Sequence, residues 1–94
     1  MWDKLGYVEG LLGHYDKALT AHQHAIDILA NLFGEQDARL AVAISNRGLA
    51  EEGLGDYGAA MCSHQKAHDL LINAFGGDHK LTKLVSSRLS QIPS

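Results

Sequence analysis

Residues 13–34 read GHYDKALTAHQHAIDILANLFG, and residues 55–76 read GDYGAAMCSHQKAHDLLINAFG. The two stretches lie 42 residues apart and are versions of one segment. Extended back to Leu5, the same register gives 14 identities in 30 positions without a gap, among them Gly6/Gly48, Tyr15/Tyr57, Ala18/Ala60, His22/His64, Gln23/Gln65, Asp27/Asp69 and Gly34/Gly76. Self-similarity at a fixed period of this size is the mark of a stacked repeat, so the duplication is the first constraint on the fold.

Within each copy the apolar and small residues recur at helical spacing. Ala18, His22, Ala25, Leu29 and Phe33 follow at steps of 4, 3, 4 and 4, and Ala60, His64, Ala67, Leu71 and Phe75 repeat them. That is one face of an α-helix. The small residues on the stripe let a neighbouring helix come close. Gly13 and Gly55 punctuate the turn before each of these helices, and Gly34 and Gly76 follow the last apolar residue, where a left-handed C-cap is expected. Asp37 is expected to cap the next helix, and Asp78 the last one. The pattern predicts five helices, at about 2–12, 16–33, 37–54, 58–75 and 79–91. The last has Leu81, Leu84, Val85 and Leu89 for a buried face, with Ile92 just beyond, and Lys80, Lys83, Ser86, Ser87, Arg88 and Ser90 for a wet one, as a capping helix needs. The fold class is all-α: tandem antiparallel helix pairs in a single domain over 1–94, with repeat 1 at about 2–34, repeat 2 at about 36–76 and the cap at about 79–91.

Composition narrows the functions. The chain has 94 residues, a formal net charge of −3, one proline and one cysteine, Cys62. The charge leaves no basic footprint for nucleic acid. No apolar run reaches the length that spans a bilayer, and there is no basic amphipathic stretch for a membrane surface. One cysteine makes no internal disulfide, and the opening MWDKLGYVEG has an acid and glycines where a secretory signal needs a basic cluster and an apolar run. A reducing, cytoplasmic setting is the expectation.

The Gly-x-Tyr turn, the small residues three and ten positions after the Tyr and the aromatic slot between them identify a family. Gly55, Tyr57, Ala60, His64 and Ala67, with Gly13, Tyr15, Ala18, His22 and Ala25, resemble the tetratricopeptide repeat. Phe75-Gly76-Gly77-Asp78-His79 looks like the end of the 42-residue variety found in kinesin light chains and many bacterial multi-repeat proteins. The resemblance runs from Trp2 to about Leu89. It implies an α-solenoid of two such hairpins plus a C-terminal cap, acting as a protein–protein interaction scaffold without catalysis or cofactor. His22 and His64 depart from it by standing where an aromatic is usual, and Arg47 by replacing a leucine.

In this family the first helices of successive pairs line a groove that grips a peptide or a partner helix. Carried over one at a time, those positions fall on Asp3, Lys4, Tyr7 and Gly10, then on Ser45, Asn46, Leu49 and Glu52, and in the last helix on Ser87, Arg88 and Gln91. Lys4, Asn46 and Arg88 stand 42 apart and form a ladder of hydrogen-bond donors, two of them cations. Convergent charged and amide donors suit a carboxylate, so an acidic or C-terminal peptide is the expected occupant, bound by Lys4, Tyr7, Ser45, Asn46, Leu49, Glu52 and Arg88. The plainer alternative is a solvated polar helix face. A structural rival is self-association into a homodimer or longer stack through the N-terminal helix, whose Trp2, Leu5, Val8 and Leu12 form an unpaired apolar flank, or a place as a piece of a longer repeat array. Metal binding by His64 and His68, i and i+4 on one helix, is weighed against their places in packing slots, and core histidine is preferred. Cys62 with His64 or His68 lacks the orienting third group and the cleft of a catalytic pair.

Overall fold

Alanine-rich, proline-free stretches broken by glycines fold as the repeat demands. The computed structural model describes residues 12–92. Four α-helices follow in order: α1 Tyr15–Phe33, α2 Arg39–Gly53, α3 Tyr57–Phe75 and α4 Lys80–Gln91. Each packs against its neighbours in the chain, α1 on α2, α2 on α3 and α3 on α4. The boundaries agree with the expected ones to within two residues. The predicted helix over 2–12 lies outside the described residues except for Leu12, which belongs to the turn before α1.

The turns are set by local chemistry. After α2 the Gly55 N–H bonds the Glu52 carbonyl and the Asp56 N–H bonds the Glu51 carbonyl, both at 2.9 Å. This nested pair needs a positive φ at the residue between, and Gly55 has φ +82°. Asp56 then caps α3, its carboxylate accepting from the Ala59 N–H at 3.3 Å. Gly34 and Gly76 end α1 and α3 at φ +92°, ψ 159° and φ +83°, ψ 173°. They occupy the extended mirror region rather than the expected left-handed helical one. Glycine alone tolerates that region. The N-cap of α2 is Ala38 rather than Asp37, which stands one residue earlier, its carboxylate accepting from the Arg39 N–H at 2.8 Å. The cap of α4 is His79 and not Asp78: the His79 Nδ1 accepts from the Leu81 N–H at 3.2 Å.

The core runs through all four helices, joining Ala25 and Ile26 of α1, Leu40, Ala41, Ala43 and Ile44 of α2, Ala67, Leu70 and Leu71 of α3 and Val85 of α4. Ala18, His22 and Ala25 are buried on the expected stripe, as are Ala60, His64, Ala67 and Leu71. The stripe's last residue is not: Phe33 and Phe75 are exposed. Each ring is roofed from the start of the following segment instead. The Arg39 guanidinium lies 3.9 Å over the Phe33 ring, and His79 stacks on Phe75 with centroids 4.4 Å apart.

The buried face of α4 also differs from the expected one. Thr82, Val85 and Ile92 are buried, Leu81 and Leu89 are half-buried, and Leu84 is exposed. The 42-residue register explains this. Thr82 falls in the slot of Leu40, and Val85 in that of Ala43. The Thr82 hydroxyl is satisfied by donating to the Gly76 carbonyl at 2.9 Å. Position in the repeat, rather than side-chain hydrophobicity, decides which residues of α4 face inward.

Candidate functional site

The residues expected to line the groove do gather, as far as they are described. Lys4 and Tyr7, with Asp3 and Gly10, lie outside the described residues. Ser45, Asn46, Leu49 and Glu52 follow at steps of 1, 3 and 3 along one side of α2, and α4 brings Arg88 onto them. The Arg88 Nη1 donates to Ser45 Oγ at 2.8 Å and to Asn46 Oδ1 at 3.1 Å. Two rungs of the ladder are therefore hydrogen-bonded to each other. Ser45 is wholly buried and Asn46 is 7% exposed, so both lie beneath the surface rather than on it.

A directional polar chain continues from Ser45. The Ser45 hydroxyl and His64 Nδ1 are 2.9 Å apart, and His64 Nε2 is 3.0 Å from Glu52 Oε2. Arg88 has only N–H groups to give, so Ser45 Oγ accepts from it and is free to donate its own proton to Nδ1. His64 then carries its proton on Nε2 and donates it to Glu52. The network assigns this tautomer, and every buried member of it has a partner. The ring fits because Gly48 faces it: a Cβ there would lie 2.8 Å from two of its atoms. His64, in the aromatic slot, thus has a second role, holding the Glu52 carboxylate.

Serine, histidine and glutamate in series have the form of a nucleophilic triad. The chemistry fails on access. Ser45 has no exposed surface and its oxygen is claimed by Arg88, so no electrophile can sit beside it. Cys62 is exposed, on a different face of α3 from buried His64. The metal reading of His64 and His68 ends likewise, because Ser45 and Glu52 occupy both ring nitrogens of His64. Among the described residues no three His, Cys, Asp or Glu side chains gather as a metal site.

Beside Glu52 opens a cleft of about 410 Å³, lined by Tyr15, Leu49, Glu52, Gly53, Tyr57 and Gln91. The Tyr15 ring lies so close on the Gly53 backbone that a Cβ at Gly53 would overlap it, 2.3 Å from Cδ1. Sequence reasoning took the two tyrosines as turn markers and missed them as lining. The available signal was their place as the first residues of α1 and α3, both of which open beside the end of α2 at Gly53.

A separate clasp explains Arg47. Its Nη1 donates to Gln23 Oε1 at 2.9 Å, and its Nε and Nη2 donate to Ser63 Oγ at 3.3 and 3.2 Å. Ser63 in turn donates to Glu51. The leucine slot has become a polar tie between α1, α2 and α3.

A family model of the tetratricopeptide repeat matches residues 1–73. The chain belongs to the tetratricopeptide repeat family. A comparison with curated proteins finds no match. Tetratricopeptide repeats serve in general as scaffolds for protein–protein interaction and are typically non-catalytic. Among the described residues no helix is long and apolar enough to cross a membrane.

Proposed function

We propose that this tetratricopeptide repeat protein holds an extended segment of a partner protein in the groove between α2 and α4, without catalysis. The observation that carries the reading is the polar chain beneath that groove. Arg88, Asn46, Ser45, His64 and Glu52 tie three helices into a fixed wall, while Leu49, Tyr15 and Tyr57 border the open cleft above it. Binding surfaces of this kind gain affinity by being ordered before the ligand arrives. In its finer form the reading has Lys4 and Arg88 meeting an acidic or C-terminal peptide, with buried Asn46 holding Arg88 in place rather than touching the peptide. Arg88 grips Ser45 and Asn46, so it contributes through its positive charge. The single exposed cysteine suits a reducing, cytoplasmic setting.

Capture of partners from the native host with the intact chain and with Leu49→Arg tests this. The variant is expected to lose specific partners while melting like the parent. An unchanged set of captured proteins would refute the groove.

Self-association is favoured by a different observation. Ile28 and Leu32, 45% and 67% exposed, lie one turn apart on one flank of α1, and Leu12, the described residue of the expected N-terminal seam, is 65% exposed. A homodimer covering that flank predicts a doubled mass in solution; a monomer at high concentration rejects it.

A further inference from the structure

The cleft beside Glu52 has a chemical character of its own. Among the described residues its lining contributes one carboxylate, two phenol rings, one amide and one aliphatic side chain, and no cation. Glu52 is held from below by His64 on Oε2, and its side chain is 22% exposed. Oε1 accepts from no described residue. Tyr15 is braced against Gly53, and Tyr57 is 43% exposed. A carboxylate fixed by a buried donor and flanked by aromatic rings attracts a positive group twice, by its charge and by the negative faces of the rings. A planar guanidinium satisfies both, forking onto the carboxylate while stacking on a ring. A cleft of about 410 Å³ is at the small end of ligand-sized sites and suits one long side chain.

We infer that the Tyr15–Glu52–Tyr57 cleft is an anchor for an arginine side chain of the bound partner. The inference rests on the groove reading above and adds a polarity to it. Asn46 and Arg88 mark one level of α2, and Glu52, six residues on, marks another about 9 Å along the helix. The partner segment carries its cation at the Glu52 level.

The test is an amide-shift titration of the isotopically labelled full chain with N-acetyl-arginine amide, against N-acetyl-norleucine amide and N-acetyl-glutamate amide. Saturable shifts at Gly53 and Tyr57 are expected with the arginine probe alone. Glu52→Gln keeps an acceptor for His64 and removes the charge, and Tyr57→Leu removes a ring at an exposed position. Each should weaken the probe by about two- to fivefold while leaving the thermal melt in place. Equal shifts from the norleucine or glutamate probe, no shift from any probe, or arginine binding indifferent to both substitutions would overturn the inference. If Leu49→Arg abolishes partner capture while the arginine probe leaves the cleft untouched, the groove stands and the cation anchor falls. Probe binding at the cleft with capture insensitive to Leu49→Arg would show a cation site that serves no partner segment, overturning the groove and with it the anchor.

Discussion

Arg88 and Asn46, one repeat length apart in the chain, are direct partners, with Nη1 donating to Oδ1 across 3.1 Å. The same nitrogen reaches the buried Ser45 hydroxyl, so the cap helix α4 is latched to α2 by polar contacts above the apolar seam at Val85. A double-mutant cycle with Asn46→Ala and Arg88→Ala should therefore show coupling of about 0.5–3 kcal/mol in urea melts. Additive effects would mean that the contact contributes nothing to docking α4.

His64 fills a slot where the family usually has an aromatic, but its two nitrogens are both in use. Phenylalanine there fills the space and strips Ser45 and Glu52 of their partner. His64→Phe should cost about 1–3 kcal/mol, and adding Ser45→Ala should recover part of it, since matched removal of both buried partners is the milder change. A stabilising single substitution, read by thermal unfolding, would count against the polar chain.

Gly53 sits in a helix, where alanine is ordinarily favoured by about 0.5–1 kcal/mol. Here the Tyr15 ring occupies the space a Cβ needs. Gly53→Ala should destabilise by about 1–3 kcal/mol, because either the ring or the helix end must move. Gly58, in the first turn of α3, meets nothing within 4 Å. Gly58→Ala should stabilise by up to about 1 kcal/mol. The opposite order of the two melting temperatures would refute the packing described at the groove.

Asp56 is the side-chain cap of α3, while the equivalent position before α1 is His14, which makes no such cap bond. Asp56→Ala should cost about 0.5–2 kcal/mol. Hydrogen exchange in the first turn of α3 should rise with it, and an unaltered exchange pattern would show the turn to be held by the preceding glycine alone.

The helices and their ends were legible because their causes are local. A stripe at steps of 3 and 4, a glycine where φ must be positive and an aspartate before a helix all act within a few residues. The candidate site was half legible: the family resemblance put Ser45, Asn46, Leu49 and Glu52 on one side of α2, and the 42-residue spacing paired Asn46 with Arg88. What side-chain hydrophobicity did not tell was depth. Leu84 was expected inward and is exposed, Thr82 is buried in its stead, and Tyr15 and Tyr57 border a cleft that their role as turn residues concealed.

Sequence by itself determined that this chain is a duplicated helical hairpin, since periodicity and turn chemistry are written in neighbouring residues. Only the tertiary structure decided that Ser45 lies beneath Arg88, that a histidine props up Glu52 and that two tyrosines stand beside that carboxylate. Burial and hydrogen-bond partnership depend on side chains 12 to 43 residues away, and those distances close only when the helices pack.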